Sequence, residues 1–118
     1  MAVVTAPPPA TRILVVDDDP AITTLYDEVL RAHGYDVVTA GSIAQAMAAM
    51  ERIQGQAQVL VVDLGLPDGE GADFVRDAAA RFGTRPTMYV SGWTHEMWQL
   101  GAAPGRWLVM RAPRPVKR

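Results

Sequence analysis

Three aspartates give this sequence its chemistry: Asp17, Asp18 and Asp63. The first two follow the short β-branched run RILVV (12–16), which reads as a strand. Asp63 closes the apolar run in AQVLVVDLGLPDGEG (57–71), which reads as a strand buried on both faces. Beyond it Gly65, Pro67, Gly69 and Gly71, with Asp68 and Glu70 between them, form a surface loop rather than more strand. An acid at the carboxyl end of a buried strand is well placed, because open parallel sheets bind ligands outside that end of their strands. Asp also suits turns in its own right, so one such residue carries little. Two acidic strand ends that meet carry more. Carboxylates within about 5 Å of one another repel by a few kcal/mol at an effective dielectric of about 20, and a hard divalent cation relieves the repulsion. Magnesium takes oxygen ligands, keeps several waters and bridges carboxylate to phosphoryl oxygen, so the pattern points to phosphoryl chemistry.

The acids meet only if the elements bring them together. Asp19 and Pro20 read as a helix start, with Asp as cap and Pro at the first helical position. The helix carries Ile22, Leu25, Tyr26, Val29 and Leu30 on one face, and Gly34 stops it. Tyr35 to Ala40 is the second strand. Ser42 caps a helix with Ile43, Met47, Met50 and Ile53 on its apolar side, a Met stripe that reads as core, and Gly55 lies beyond its end. After the third strand, a helix buries Phe74, Val75, Ala78 and Phe82 and ends at Gly83. Thr87 to Val90 is the fourth strand, ending at Ser91-Gly92. Trp93 to Leu100 makes two helical turns at most, Arg106 to Met110 reads as a fifth strand, and RAPRPVKR leaves no room for a fifth helix. Strands alternating with helices over short loops predict a parallel sheet with helices on both faces. Right-handed crossovers then set the first and third strands side by side, so that Asp17, Asp18 and Asp63 converge.

Composition narrows the function classes. A chain of 118 residues makes one domain with a real core, here residues 12–118 behind an extended Pro-rich arm at 1–11. The absence of cysteine excludes disulfides and thiolate metal sites and fits a reducing compartment. A net charge of −2 with no basic stripe gives no surface for nucleic acid. No apolar run approaches the roughly 20 residues of a membrane span, and the amino terminus lacks the layout of a secretory signal.

ILVVDDDPAI, then VLVVDLGLPDGEG, then MYVSGW together resemble the receiver domain of bacterial two-component response regulators. The resemblance rests on an acidic pair after the first strand and an Asp after the third, followed by Pro four and Gly six and eight positions on. A hydroxyl residue after the fourth strand completes it. It implies a flavodoxin-like, doubly wound parallel sheet of five strands in the order 2-1-3-4-5, with a short fourth helix and the fifth missing. It also implies that Asp63 is the phosphoacceptor, that Asp17, Asp18, Asp63 and the backbone carbonyl of Gly65 hold Mg2+, and that Ser91 is the switch hydroxyl. The partner implied is a sensor histidine kinase or a histidine phosphotransfer protein. The chain is then no enzyme but a cytoplasmic, stand-alone phosphoacceptor that assists its own phosphorylation and signals by protein contact.

The carboxyl-terminal part departs from the family. A Lys, usually followed by a cis Pro, is expected at the end of strand five, yet the one lysine is Lys117. Alignment sets Arg111 at the Lys position and Ala112 at the Pro, with Arg114 and Met110 as alternatives. Arg keeps the charge but is longer, planar and forked. Trp107 fits either the aromatic switch position or an ordinary core or surface Trp. Trp93, Trp98 and Trp107 form either a homodimer surface around helix four and strand five or local packing over the sheet edge, and His95 reads as a solvated helix residue. Two rival functions stand beside the receiver. One is a pseudo-receiver that binds a partner or dimerises without phosphorylation. The other is a small DxD phosphohydrolase with Asp17 as nucleophile and Asp19 as acid/base.

Overall fold

A computed structural model describes residues 10–90 and the backbone of residues 91 and 106–110. Strands β1 (Arg12–Val16), β2 (Asp36–Ala40), β3 (Val59–Asp63), β6 (Thr87–Ser91) and β7 (Arg106–Met110) form one sheet in the order β2-β1-β3-β6-β7. All four pairings are parallel. This is the expected 2-1-3-4-5 order once a two-residue ribbon is set aside. That ribbon, β4 (Gly65–Leu66) and β5 (Gly69–Glu70), pairs antiparallel within the loop after Asp63 and buries Leu66, in a stretch expected to be surface loop alone. Helices α1 (Pro20–Ala32), α2 (Ile43–Arg52) and α3 (Gly71–Phe82) fill the crossovers. The expectations for the short fourth helix, the missing fifth helix, Trp93, His95, Trp98, Arg111 and Arg114 lie outside the described residues, as do the side chains of Ser91, Trp107 and Met110.

Strand alternation sorts the core into two clusters. Leu14, Val16, Leu60, Val62 and Tyr89 point to one face, where α2 and α3 add Ala46, Ala49, Met50, Phe74, Val75 and Ala78. Ile13, Val15, Val37, Val61 and Val90 point to the other, joined by Tyr26 and Leu30 of α1. The Met stripe of α2 is core, as expected: Met50 is fully buried and Met47 packs beside it, with Ala46 and Ala49 as further buried positions that the spacing of large residues did not show.

The apolar face expected for α1 needs correction. Leu25 is 56% exposed and Val29 47% exposed, and no residue of the helix is fully buried. A single helix lying against a sheet seats one row of side chains, here Tyr26 and Leu30. The adjacent row, Leu25 and Val29, turns about 100° away.

The caps follow the expected chemistry. Asp19 accepts from Ala21 N at 3.0 Å with Pro20 opening α1, and Ser42 Oγ accepts from Gln45 N at 3.1 Å. Gly34 at φ +87° lies just past the end of α1, where a left-handed residue is needed. One brace had no sequence signal. The Arg85 guanidinium donates to the carbonyl oxygens of Gly55, Ala57, Phe82 and Gly83, tying the end of α3 to the approach to β3.

Candidate functional site

The site lies at the carboxyl edge of the sheet, where β1 and β3 are direct neighbours with Val16 opposite Val62. Each strand therefore delivers its acid to the same place. Carboxylate oxygens of Asp17, Asp18 and Asp63 all lie within 4.8 Å of one another. Asp17 and Asp63 are each only 3% exposed, and Asp18 is half-buried. The convergence expected from the crossovers is what the fold delivers.

Local bonds fix the carboxylates. Asp17 N donates to Ala40 O at 3.0 Å, which anchors the turn on β2, and Asp17 Oδ1 accepts from Asp19 N at 2.9 Å. Asp63 Oδ1 accepts from Gly65 N at 3.2 Å, so the loop begins by folding back on the acid. Three carboxylates, with no nitrogen or sulfur donor among them, fit a hard divalent cation such as Mg2+ and would suit no soft metal. Asp19, beside them in sequence, turns to α1 as its cap. Ser91 ends β6 at the same edge: Asp63 pairs with Val90, and Ser91 with Met110 of β7. A polar cleft of about 330 Å3 opens beside the acids, walled by Asp17, Asp18, Thr23, Thr39, Gly41 and Gln45. It is wide enough for a small polar group to approach.

Two residues of the loop after Asp63 have roles that the sequence did not announce. Gly71 opens α3 directly beneath the site, and a Cβ there would run into the carbonyl oxygen of Asp63 and press on Val62. Its N–H donates to Leu64 O at 2.8 Å, closing the loop at its base. The clue available was the pair of glycines in GEG, which marks a close backbone approach but not what is approached. Asp68, at the tip of the loop, reaches α2: its two oxygens accept from Ile43 N at 2.8 Å and Ala44 N at 2.9 Å. Those bonds, from Ala44 first and then Ile43, hold the Asp68 carboxyl below the ordinary value of 3.8. An acid that caps a helix 25 residues upstream in the chain leaves no local signature.

Comparison with known proteins bears on the same residues. The family model "Response regulator receiver domain" matches residues 13–103. The transcriptional regulatory protein TrcR of Mycobacterium tuberculosis is 34% identical over 80 residues, which is 68% of this chain and 30% of that protein. The DNA-binding response regulator MtrA of Mycolicibacterium smegmatis is 38% identical over 65 residues, 55% of this chain and 28% of that protein. The chain thus spans about 30% of the length of the curated relatives it matches. Among solved structures, a CheY-like receiver domain protein from Methanospirillum hungatei superposes with a TM-score of 0.75 at 27% identity, covering 92% of this chain and 85% of the other. The response regulator protein TrrA of Thermotoga maritima, solved in complex with Mg(2+)-BeF, superposes with a TM-score of 0.70 at 25% identity, covering 84% and 85%.

Proposed function

The chain belongs to the response regulator receiver domain family of two-component signalling, and on that premise we propose that it accepts a phosphoryl group on Asp63 from a sensor histidine kinase or a histidine phosphotransfer protein. The observation that carries the reading is the convergence of Asp17, Asp18 and Asp63 within 4.8 Å at the end of adjacent strands. One Asp63 oxygen attacks phosphorus of a phosphohistidine, the P–N bond breaks with its electron pair left on the ring nitrogen, and Asp63 becomes an acyl phosphate. Asp17 and Asp18, with Asp63 and the Gly65 carbonyl, are the residues to hold Mg2+. When bound, Mg2+ neutralises charge on the transferred phosphoryl oxygens, and TrrA, solved with Mg(2+)-BeF, gives the parallel. The bond from Asp19 N holds Asp17 in place through its Oδ1. The Ser91 hydroxyl, one strand over, hydrogen-bonds the phosphoryl group once it is present. Arg111 supplies the positive charge that the family takes from Lys; its support is that Met110, the residue before it, pairs with Ser91. The domain acts as a phosphoacceptor that assists its own phosphorylation, and it passes on its state by protein contact.

The missing Lys-Pro pair favours one rival, a pseudo-receiver that binds its partner without phosphorylation. Incubation with Mg2+ and acetyl phosphate or phosphoramidate, followed by intact mass, separates the two. A phosphate-sized gain in wild type that Asp63→Asn loses is expected. A wild-type chain that gains nothing while binding Mg2+ leaves the pseudo-receiver, and a gain that persists in Asp63→Asn moves the phosphoacceptor elsewhere. Among the described residues no helix is long and apolar enough to cross a membrane.

A further inference from the structure

We infer that Asp68 is a positioning residue of the metal site, acting from the far tip of the loop that leaves Asp63; the inference rests on the reading of Asp17, Asp18, Asp63 and Gly65 as the Mg2+ ligands. The loop is a lever pinned at its base and at its tip. At the base, Gly65 N donates to Asp63 at 3.2 Å and Gly71 N donates to Leu64 O at 2.8 Å. Between them the β4–β5 ribbon pairs Gly65 with Glu70 and Leu66 with Gly69. Asp68 lies in the turn of that ribbon, and both of its oxygens are engaged by the first two N–H groups of α2. Backbone N–H groups at a helix start are unsatisfied within the helix and favour a carboxylate, so this contact is charge-assisted.

Geometry carries the effect back to the acids on two sides. Gly65, whose carbonyl faces the role of ligand, is a ribbon residue, and releasing the tip frees the ribbon to pivot about its base. On the other side, the turn before α2 is held by Gln45, whose Oε1 accepts from Gly41 N at 2.8 Å, and both residues wall the cleft beside Asp17 and Asp18. Asp68 therefore ties the loop after β3 to the loop after β2 across the site. Residues hydrogen-bonded directly to metal ligands typically cost 10- to 100-fold in affinity when lost; Asp68 acts one step further out, through the loop that carries Gly65, so the lower end of that range applies.

Ser42 provides the internal control. Its hydroxyl caps the same helix through the backbone N–H of Gln45, within α2's own entry, and leaves the side-chain bond from Gly41 N to Gln45 Oε1 in place. The experiment is calorimetric titration of the full chain with Mg2+ alone, on wild type, Asp68→Ala, Asp68→Asn and Ser42→Ala, with a thermal melt of each metal-free protein. Asp68→Ala is expected to weaken Mg2+ binding about ten-fold. Asp68→Asn, which keeps one acceptor oxygen but not the charge, is expected to recover part of that. Ser42→Ala is expected to lower the melting temperature as much as Asp68→Ala while leaving Mg2+ affinity at the wild-type value. Equal affinity in Asp68→Ala and wild type, or equal weakening in Ser42→Ala, overturns the positioning role. A wild-type chain that binds no Mg2+ overturns the site reading beneath it.

Discussion

The two faces of the sheet are built to different standards. On the α2/α3 face, Leu14, Met50, Leu60, Val62, Phe74 and Tyr89 are all essentially sealed from solvent, and two helices share the covering. On the α1 face the cluster is smaller, the one described helix buries none of its residues fully, and Leu25, Val29 and the neighbouring Tyr35 stand exposed. The site is hung mainly from the sealed face. Leu64 and Leu66, which flank Gly65, belong to its cluster, α3 starts from Gly71 under Asp63, and Asp68 binds α2. The α1 side adds Thr23 to the wall of the cleft. A phosphoacceptor must stay in place through the transfer, because misplacement by an ångström is costly in rate. Rigid packing beneath Asp63 serves that need.

The contrast predicts its largest difference in core truncation. Phe74→Ala should cost about 3–5 kcal/mol in urea unfolding, since it empties the centre of the sealed face, whereas Leu25→Ala should stay within about 0.5 kcal/mol. Comparable losses at the two positions would break the distinction between the faces. Gly71→Ala comes next. Overpacking of this kind typically costs about 1–3 kcal/mol, and here the displaced atoms are the backbone carbonyl of Asp63 and the side chain of Val62. Phosphorylation by acetyl phosphate should fall further than stability alone explains, and a variant that loses stability but keeps its wild-type labelling rate would show that the site tolerates movement of its floor. Asp19→Ala, on the open face, should cost about 1 kcal/mol through the lost cap of α1 and leave the amide exchange of α2 and α3 unchanged.

Much of this was legible in the sequence. The convergence of the three acids and the capping by Asp19 and Ser42 follow from local pattern and crossover handedness, because each depends on residues close in sequence or on a rule that admits one hand, whereas the full strand order is what the receiver resemblance implies. What stayed hidden depends on distance and on degree. Asp68 reads as a turn residue, and its partners at Ile43 and Ala44 are set by tertiary packing. Arg85, just before a proline, carries no local signal, yet it closes four carbonyls. The α1 stripe was read too wide, because periodicity reports which residues share a face and not how much sheet lies beneath it. Ala46 and Ala49 were passed over for the opposite reason: a small residue is buried where a helix approaches closely, and no large side chain marks the spot.

The smallest predicted difference concerns two carboxylates, one from each side of the molecule. Asp36, on the α1 side, is held below its ordinary 3.8 chiefly by the hydrogen bond from Arg12 Nε at 2.9 Å, with Arg31 3.8 Å away adding to the field. Asp68 is depressed by the backbone N–H groups of Ala44 and Ile43. Both folded values lie below the unfolded ones, so each contribution to stability is fully present above the ordinary carboxylate value. Each is lost as pH falls through the folded value. Their response to salt should differ. Mobile ions screen the charge–charge part of the half-buried Arg12–Asp36 pair, and at about 1 M salt the screening length shrinks to about 3 Å. The bonds to Asp68 come from fixed helix-end donors at contact distance, which screening reaches less. Carboxyl-carbon titration by NMR at low and high salt should therefore show Asp36 moving back toward 3.8 while Asp68 stays depressed. If Asp68 relaxes as far as Asp36, the tip of the loop is held by loose electrostatics rather than by seated hydrogen bonds, and the rigidity assigned to the sealed side stops short of the ribbon that carries Gly65.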